Sequence, residues 1–303
     1  MTPFVGLVAR MGGFPDFVGE VLIFFMNAKE ICSGFRYGFM KNLPRIAIAL
    51  IITAFISCDR NGGNSKITCL PNSVSGNVLA FYPFSKGTLN DLSGNNHHLM
   101  NTTSARPTFD RNGNDSCAFE FDNSPSSTEF LTTSATSFLN GLKEFSISFW
   151  YQPKDTTRGG GQFESLICRG LGLDCPDRNG QWSVGLSDCR RAVFGRTNSV
   201  WDNNILNSGC GDEIKARTNT WSHLVATYNE TGVTMRIYRN GVLQQTSRGD
   251  ADCGSGKPSC TDIGDLFIGK DFTGCIDDVI IFNKKLSQSD VDILFNLTTC
   301  CEK

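Results

Sequence analysis

From Asn77 onward, short runs of aliphatic, aromatic and β-branched residues are broken every few positions by Gly, Asn, Asp and Ser. That spacing is the pattern of an antiparallel sandwich or barrel. In Phe145-Ser146-Ile147-Ser148-Phe149-Trp150-Tyr151, the residues Phe145, Ile147, Phe149 and Tyr151 fall on one face and the two serines on the other. Thr234 to Tyr238 and Val242 to Gln245 flank Arg239-Asn240-Gly241, and Asn-Gly between strand-like runs predicts a tight hairpin because both central residues must accept positive φ. Further strands are predicted at Val78 to Pro83, Ala118 to Phe121, Ser165 to Arg169, Trp182 to Leu186, Trp221 to Tyr228, Leu266 to Gly269 and Cys275 to Phe282. One helix is expected near the C-terminus. Ser287 stands at its cap, Asp290 three residues on, and Val291, Leu294 and Phe295 form its apolar stripe. Residues 155 to 220 are rich in Gly, Asn, Cys and Arg and read as long loops on the rim. Neither a repeat nor a second domain boundary is visible.

The N-terminal part reads differently. Met40 to Arg45 is a short basic segment, Ile46 to Ile56 an apolar run, and Ser57-Cys58 follows at once. The run is too short to span a bilayer but suits the core of a signal peptide. Phe55-Ile56-Ser57-Cys58 resembles the lipobox of bacterial lipoproteins, with Phe55 where Leu is usual; the resemblance implies acylation of Cys58 as the first mature residue. The expected organisation is then an upstream extension over 1–39 (translation beginning at Met40), a signal peptide over 40–57, a flexible tether over 58–76, one β-domain over 77–298, and a tail over 299–303.

Composition narrows the function. A net charge of -2 without a basic stripe argues against nucleic acid. Only 3 histidines leave little for imidazole chemistry. The 13 cysteines contain no Cys-x-x-Cys pair and fit an oxidising, exported setting. Cys253 and Cys260 enclose a short loop and suggest a local bridge; Cys168, Cys175, Cys189 and Cys210 are expected to staple the loop-rich centre in two pairs.

The motifs together resemble a laminin-G-like, concanavalin A-type jelly roll over 77 to 298. The resemblance rests on Val78 to Phe84, Asp91-Leu92-Ser93-Gly94-Asn95, Cys117 to Asp122, Phe145 to Trp150, Thr220 to Tyr228, Tyr238 to Leu243, and Gly274 to Phe282, in that order. It implies an all-β fold: a two-sheet antiparallel jelly-roll sandwich with one short C-terminal helix. It also implies a structural calcium ion, with Asp91, Asn95, Asp122 and Asp277 as candidate ligands; ordinary Asx turns are the alternative for Asp91 and Asn95. A bridge from Cys275 to Cys300 or Cys301 is a further implication.

Some members of this broad fold are glucan hydrolases with clustered carboxylates, and no such cluster occurs here. Asp277-Asp278 is the nearest approach, but neighbours on a strand are expected to point to opposite faces. The expectation is therefore a binding module and not an enzyme. Trp182 and Trp201 offer faces for sugar rings, with core as the alternative for Trp182 because it heads a strand run; Arg191 and Arg196 offer hydrogen bonds, whereas Trp150 and Trp221 fall on strand motifs and read as core. The expected partner is a glycan or an extracellular or envelope protein, with no nucleic acid and only the lipid anchor touching membrane. The expected location is the cell envelope, on an outer-membrane lipoprotein facing the surface. A structural envelope lipoprotein presenting the sandwich to a protein partner is the second reading, and a glycan hydrolase the third.

Overall fold

The alternation becomes two stacked antiparallel sheets in the computed structural model, which describes residues 69–124, 126–154, 163–170, 181–187, 190–196, 199–201, 217–248 and 264–301. The signal peptide, Cys58 and most of the expected tether lie outside the described residues, as do Cys175, Cys189, Cys210, Cys253 and Cys260. Among the described residues the strands are β1 (Val78–Tyr82), β2 (Arg106–Thr108), β3 (Ala118–Phe121), β4 (Leu131–Thr133), β5 (Glu144–Pro153), β6 (Glu164–Arg169), β7 (Trp182–Ser187), β8 (Arg191–Gly195), β9 (Ser199–Trp201), β10 (Ser222–Asn229), β11 (Thr234–Arg239), β12 (Val242–Ser247), β13 (Leu266–Ile268) and β14 (Gly274–Phe282). The helices are α1 (Asn72–Ser75) and α2 (Gln288–Phe295). An 8-stranded sheet runs β12-β11-β10-β5-β14-β3-β2, with β1 also paired to β14. A 6-stranded sheet runs β4-β13-β6-β7-β8-β9. The short β2, β4, β8 and β9 were not foreseen, and β8 and β9 lie where long loops were expected.

Inward residues of both sheets fill the space between them. Phe145, Ile147, Phe149 and Tyr151 of β5 meet Leu166 and Ile167 of β6, Trp182 and Val184 of β7, and Phe194 of β8. Each buried side chain of this size contributes about 1.5–3 kcal/mol.

A second apolar cluster covers the opposite, outer face of the larger sheet. Val225, Tyr238, Ile280 and Phe282 pack there beneath Val291 and Leu294 of α2 and beneath Leu70 and Val74. Helix α2 starts as foreseen. The Ser287 hydroxyl accepts from the Asp290 N–H at 3.2 Å, and the Asp290 carboxylate accepts from the Ser287 N–H at 2.9 Å. Bridges Cys69–Cys300 and Cys117–Cys301 staple this layer. Residues 69–76 and 300–301 are thus part of the fold, because an apolar sheet face must be covered, and not tether and tail.

The cysteine expectations need correction. Cys275 and Cys168 carry free, buried thiols. Cys275 faces Glu120 and Gln152 across β14, and the thiols of Cys300 and Cys301 are already joined to Cys69 and Cys117. Burial pushes both free thiols up to about 11.

Replacing Cys69 and Cys300 together by Ser removes a cross-link between residues 231 apart. The expected cost is about 2–5 kcal/mol in denaturant unfolding under oxidising conditions. An unchanged midpoint and slope would contradict the role given to this staple.

Candidate functional site

The outer face of the larger sheet carries a buried polar cluster, and its origin is a β-bulge. Strand β14 pairs with β5 at Asp277↔Trp150 and next at Ile280↔Ser148, so β14 holds one residue more than its partner between these points. Asp278 absorbs the extra residue with φ 47°. Ile276 and Val279 therefore both face the core, while Asp277, Asp278 and Ile280 lie on the outer side. On its other edge β14 pairs with β3 through Ile276 and with β1 from Val279, so the bulge falls in the gap between those strands.

Arg111, in the loop between β2 and β3, fills that gap. Its Nη1 donates to Asp277 Oδ2 and to Asp278 Oδ2, each at 2.7 Å, and its Nη2 donates to the Leu297 carbonyl at 3.2 Å. The expectation that adjacent carboxylates point apart is overturned here by the left-handed turn at Asp278. All three side chains are nearly inaccessible, at 7% exposed for Arg111, 0% for Asp277 and 5% for Asp278. Burial, and then the Asp278 charge, hold the Asp277 carboxyl well above its ordinary range, against the pull of Arg111. Burial raises Asp278 too, with Arg111 opposing.

The guanidinium lies 4.5 Å from the centre of the Trp150 ring. Trp150 also meets Phe295 of α2 at 5.8 Å and His223 at 5.1 Å. His223 shares a 2.9 Å hydrogen bond with Ser148 through Nε2. Burial, helped by the Arg111 charge, lowers its pKa to about 3, so the ring is neutral. The Asn240-Gly241 turn sets this corner. Both residues have positive φ, as the hairpin requires. Asn240 Oδ1 accepts from the His223 N–H at 2.8 Å, and Gln288 of α2 donates to the Gly241 carbonyl at 2.6 Å. A Cβ on Gly241 would sit 3.1 Å from the Phe295 ring.

Beside the cluster opens a groove of about 360 Å³, lined by Arg111, Asn112, Trp150, Trp221, Phe295, Asn296, Leu297 and Thr298. Trp221 lies two residues before His223 and shares its outer face. Trp150 and Trp221 are half-buried, while Asn112, Asn296 and Thr298 are exposed. The groove thus offers indole surface, amides and a hydroxyl, the lining of a small-ligand site.

A profile of the concanavalin A-like lectin/glucanases superfamily, of laminin-G type, matches residues 125–292. The chain belongs to that superfamily. This family member also resembles the receptor-binding domains of botulinum neurotoxins. With the C/D mosaic serotype domain the TM-score is 0.55 at 18% identity, covering 73% of this chain and 51% of that one. For serotype D the values are 0.54 and 18%, covering 74% and 52%. A serotype C structure, described through the dependence of cell entry on two ganglioside molecules, gives 0.53 and 21% with 74% and 52% covered. The chain spans about half the length of these structures, and at such identities the likeness is one of fold. No curated protein matches it. Trp150, Trp221, His223, Asp277 and Asp278 fall inside the family match; Arg111, Asn112 and residues 295–298 fall outside it.

The residues expected to bind a ligand are not brought to this groove. Trp182 is core, 5.8 Å from Phe145. Arg196 lies 3.7 Å over the Tyr228 ring. Arg191, half-buried on β8, pairs with Ser187 of β7. Trp201 ends β9, and its side chain lies outside the described residues. The expected calcium ligands do not form one coordination sphere. Both oxygens of Asp91 accept from donors, namely the N–H groups of Phe81, Ser93 and His97 and the Ser93 hydroxyl. Asn95 donates to the Leu79 carbonyl, Asp122 accepts from the Ser124 N–H, and Asp277 is held by Arg111. Among the described residues no three His, Cys, Asp or Glu side chains are grouped to hold a metal.

Arg111→Met should cost about 3–5 kcal/mol near neutral pH, since it leaves a buried acidic pair without its cation. A raised folded-state pKa means that stability falls as pH rises above the usual 3.8 of these carboxyls. The gap between wild type and variant in denaturant melts should therefore be smaller at about pH 4 than at about pH 7.5. A gap independent of pH would contradict this assignment.

Proposed function

We propose that this domain is a carbohydrate-binding module and that the groove between Trp221 and the end of α2 holds the sugar. The observation that carries this reading is the groove's lining: two half-buried indoles beside Asn112, Asn296 and Thr298. Sugar rings present apolar C–H faces ringed by hydroxyls, so they are matched by an aromatic surface bordered by amide and hydroxyl groups. Phe295 and Arg111 cover parts of Trp150. Trp221 makes no ring contact among the described residues and is the better stacking surface. Membership of a lectin/glucanase superfamily supports the reading.

The module acts by binding and not by turnover. Asp277 and Asp278, the acidic pair nearest the groove, both point their Oδ2 atoms at one guanidinium and are sealed from solvent. A glycosidase needs one carboxyl on each side of the scissile bond. The lipobox-like Phe55-Ile56-Ser57-Cys58 supports display of the module from a lipid anchor at the cell surface, facing outward.

On a glycan array the domain should bind a defined subset of oligosaccharides. Trp221→Ala should weaken the best of them by at least about 2 kcal/mol in calorimetry while leaving the melting temperature close to wild type. An array without hits, or affinity unaffected by the substitution, would overturn the proposal.

A further inference from the structure

Resting on the glycan reading above, we infer that the groove selects neutral sugars and discriminates against sialylated or uronic-acid ones. Among the described residues, Arg111 is the sole charged one lining the groove. A cation at a sugar site recognises an acidic sugar only if its charge is available, and this one is committed. Nη1 holds Asp277 and Asp278, Nη2 reaches the Leu297 carbonyl, and the guanidinium carbon lies 4.5 Å from the centre of the Trp150 ring. The remaining N–H groups can donate to a sugar hydroxyl.

The local charge balance points the same way. Asp110 adds a third carboxylate that acts electrostatically on both members of the pair. Its burial is outweighed by hydrogen bonds from Asn114 and neighbours, which keep it below the ordinary range and therefore ionised. With one member of the Asp277–Asp278 pair protonated, Arg111 and the three carboxyls sum to a negative charge. With both protonated the sum is zero. In neither state does the cluster carry a net positive charge, so a carboxylate entering the groove sheds its water without a free cation to replace it. His223, buried and neutral, adds none.

The test compares one oligosaccharide with and without its terminal sialic acid, each titrated into wild type, Trp221→Ala and Thr298→Lys at low salt. The expected result is that the asialo form binds at least about tenfold more tightly to wild type. It should also lose affinity in Trp221→Ala. Thr298→Lys, which adds an unpaired cation at the exposed rim, should narrow the preference. Equal or tighter binding of the sialylated form that is lost in Trp221→Ala overturns the charge selectivity while leaving the glycan site standing. Absence of binding to either form across the panel overturns both.

Discussion

One extra residue in a central strand creates a buried acidic pair, and a buried acidic pair must have a cation. Asp278 turns left-handed where β14 falls out of step with β5, and two carboxylates then share one side of the sheet. Without Arg111 they would be uncompensated charge in an apolar layer, a cost of several kcal/mol. Because Arg111 comes from the loop before β3 and also holds the Leu297 carbonyl, meeting this need fixes the floor of the groove and one of its walls together. The two disulfides act on the same layer, tying residues 300 and 301 to the chain ahead of β1 and of β3. Ordinary alternation builds the sandwich, while the bulge, its cation and the capped helix build the outer face that carries the groove.

Much of the sandwich was legible because burial on one face of a strand leaves a period-2 signature. Phe145 to Tyr151, the Asn240-Gly241 turn and the Ser287 cap all follow from local chemistry and stand where expected. The strands missed are those that local pattern cannot reveal. Arg106-Pro107-Thr108 and Leu131-Thr132-Thr133 are too short to show a period, and β8 was hidden by the polar composition around it.

The site was legible only in part. Trp150 follows Ser148 by two positions, so the alternation that put Phe149 and Tyr151 in the core also places Trp150 on the outer face. Membership of a strand motif says only that the residue lies on a strand; parity decides the face. Arg111 could not be found at all, since its partners lie 166 and 167 residues away and meet it only through the bulge. The cysteine pairings failed for a related reason. Spacing says nothing about which segments must cover the sheet, and Cys300 finds Cys69 because both lie in the layer beneath α2.

A sugar held by this domain must touch both sides of the groove. Hydrogen exchange with and without a saturating neutral oligosaccharide reports this directly, because bound ligand slows local opening of the amides it covers. The predicted result is protection confined to residues 111–112, 221–223 and 295–298, the two sides of the groove. Protection centred instead on the rim carrying Arg191 and Trp201, with those segments unchanged, would contradict it.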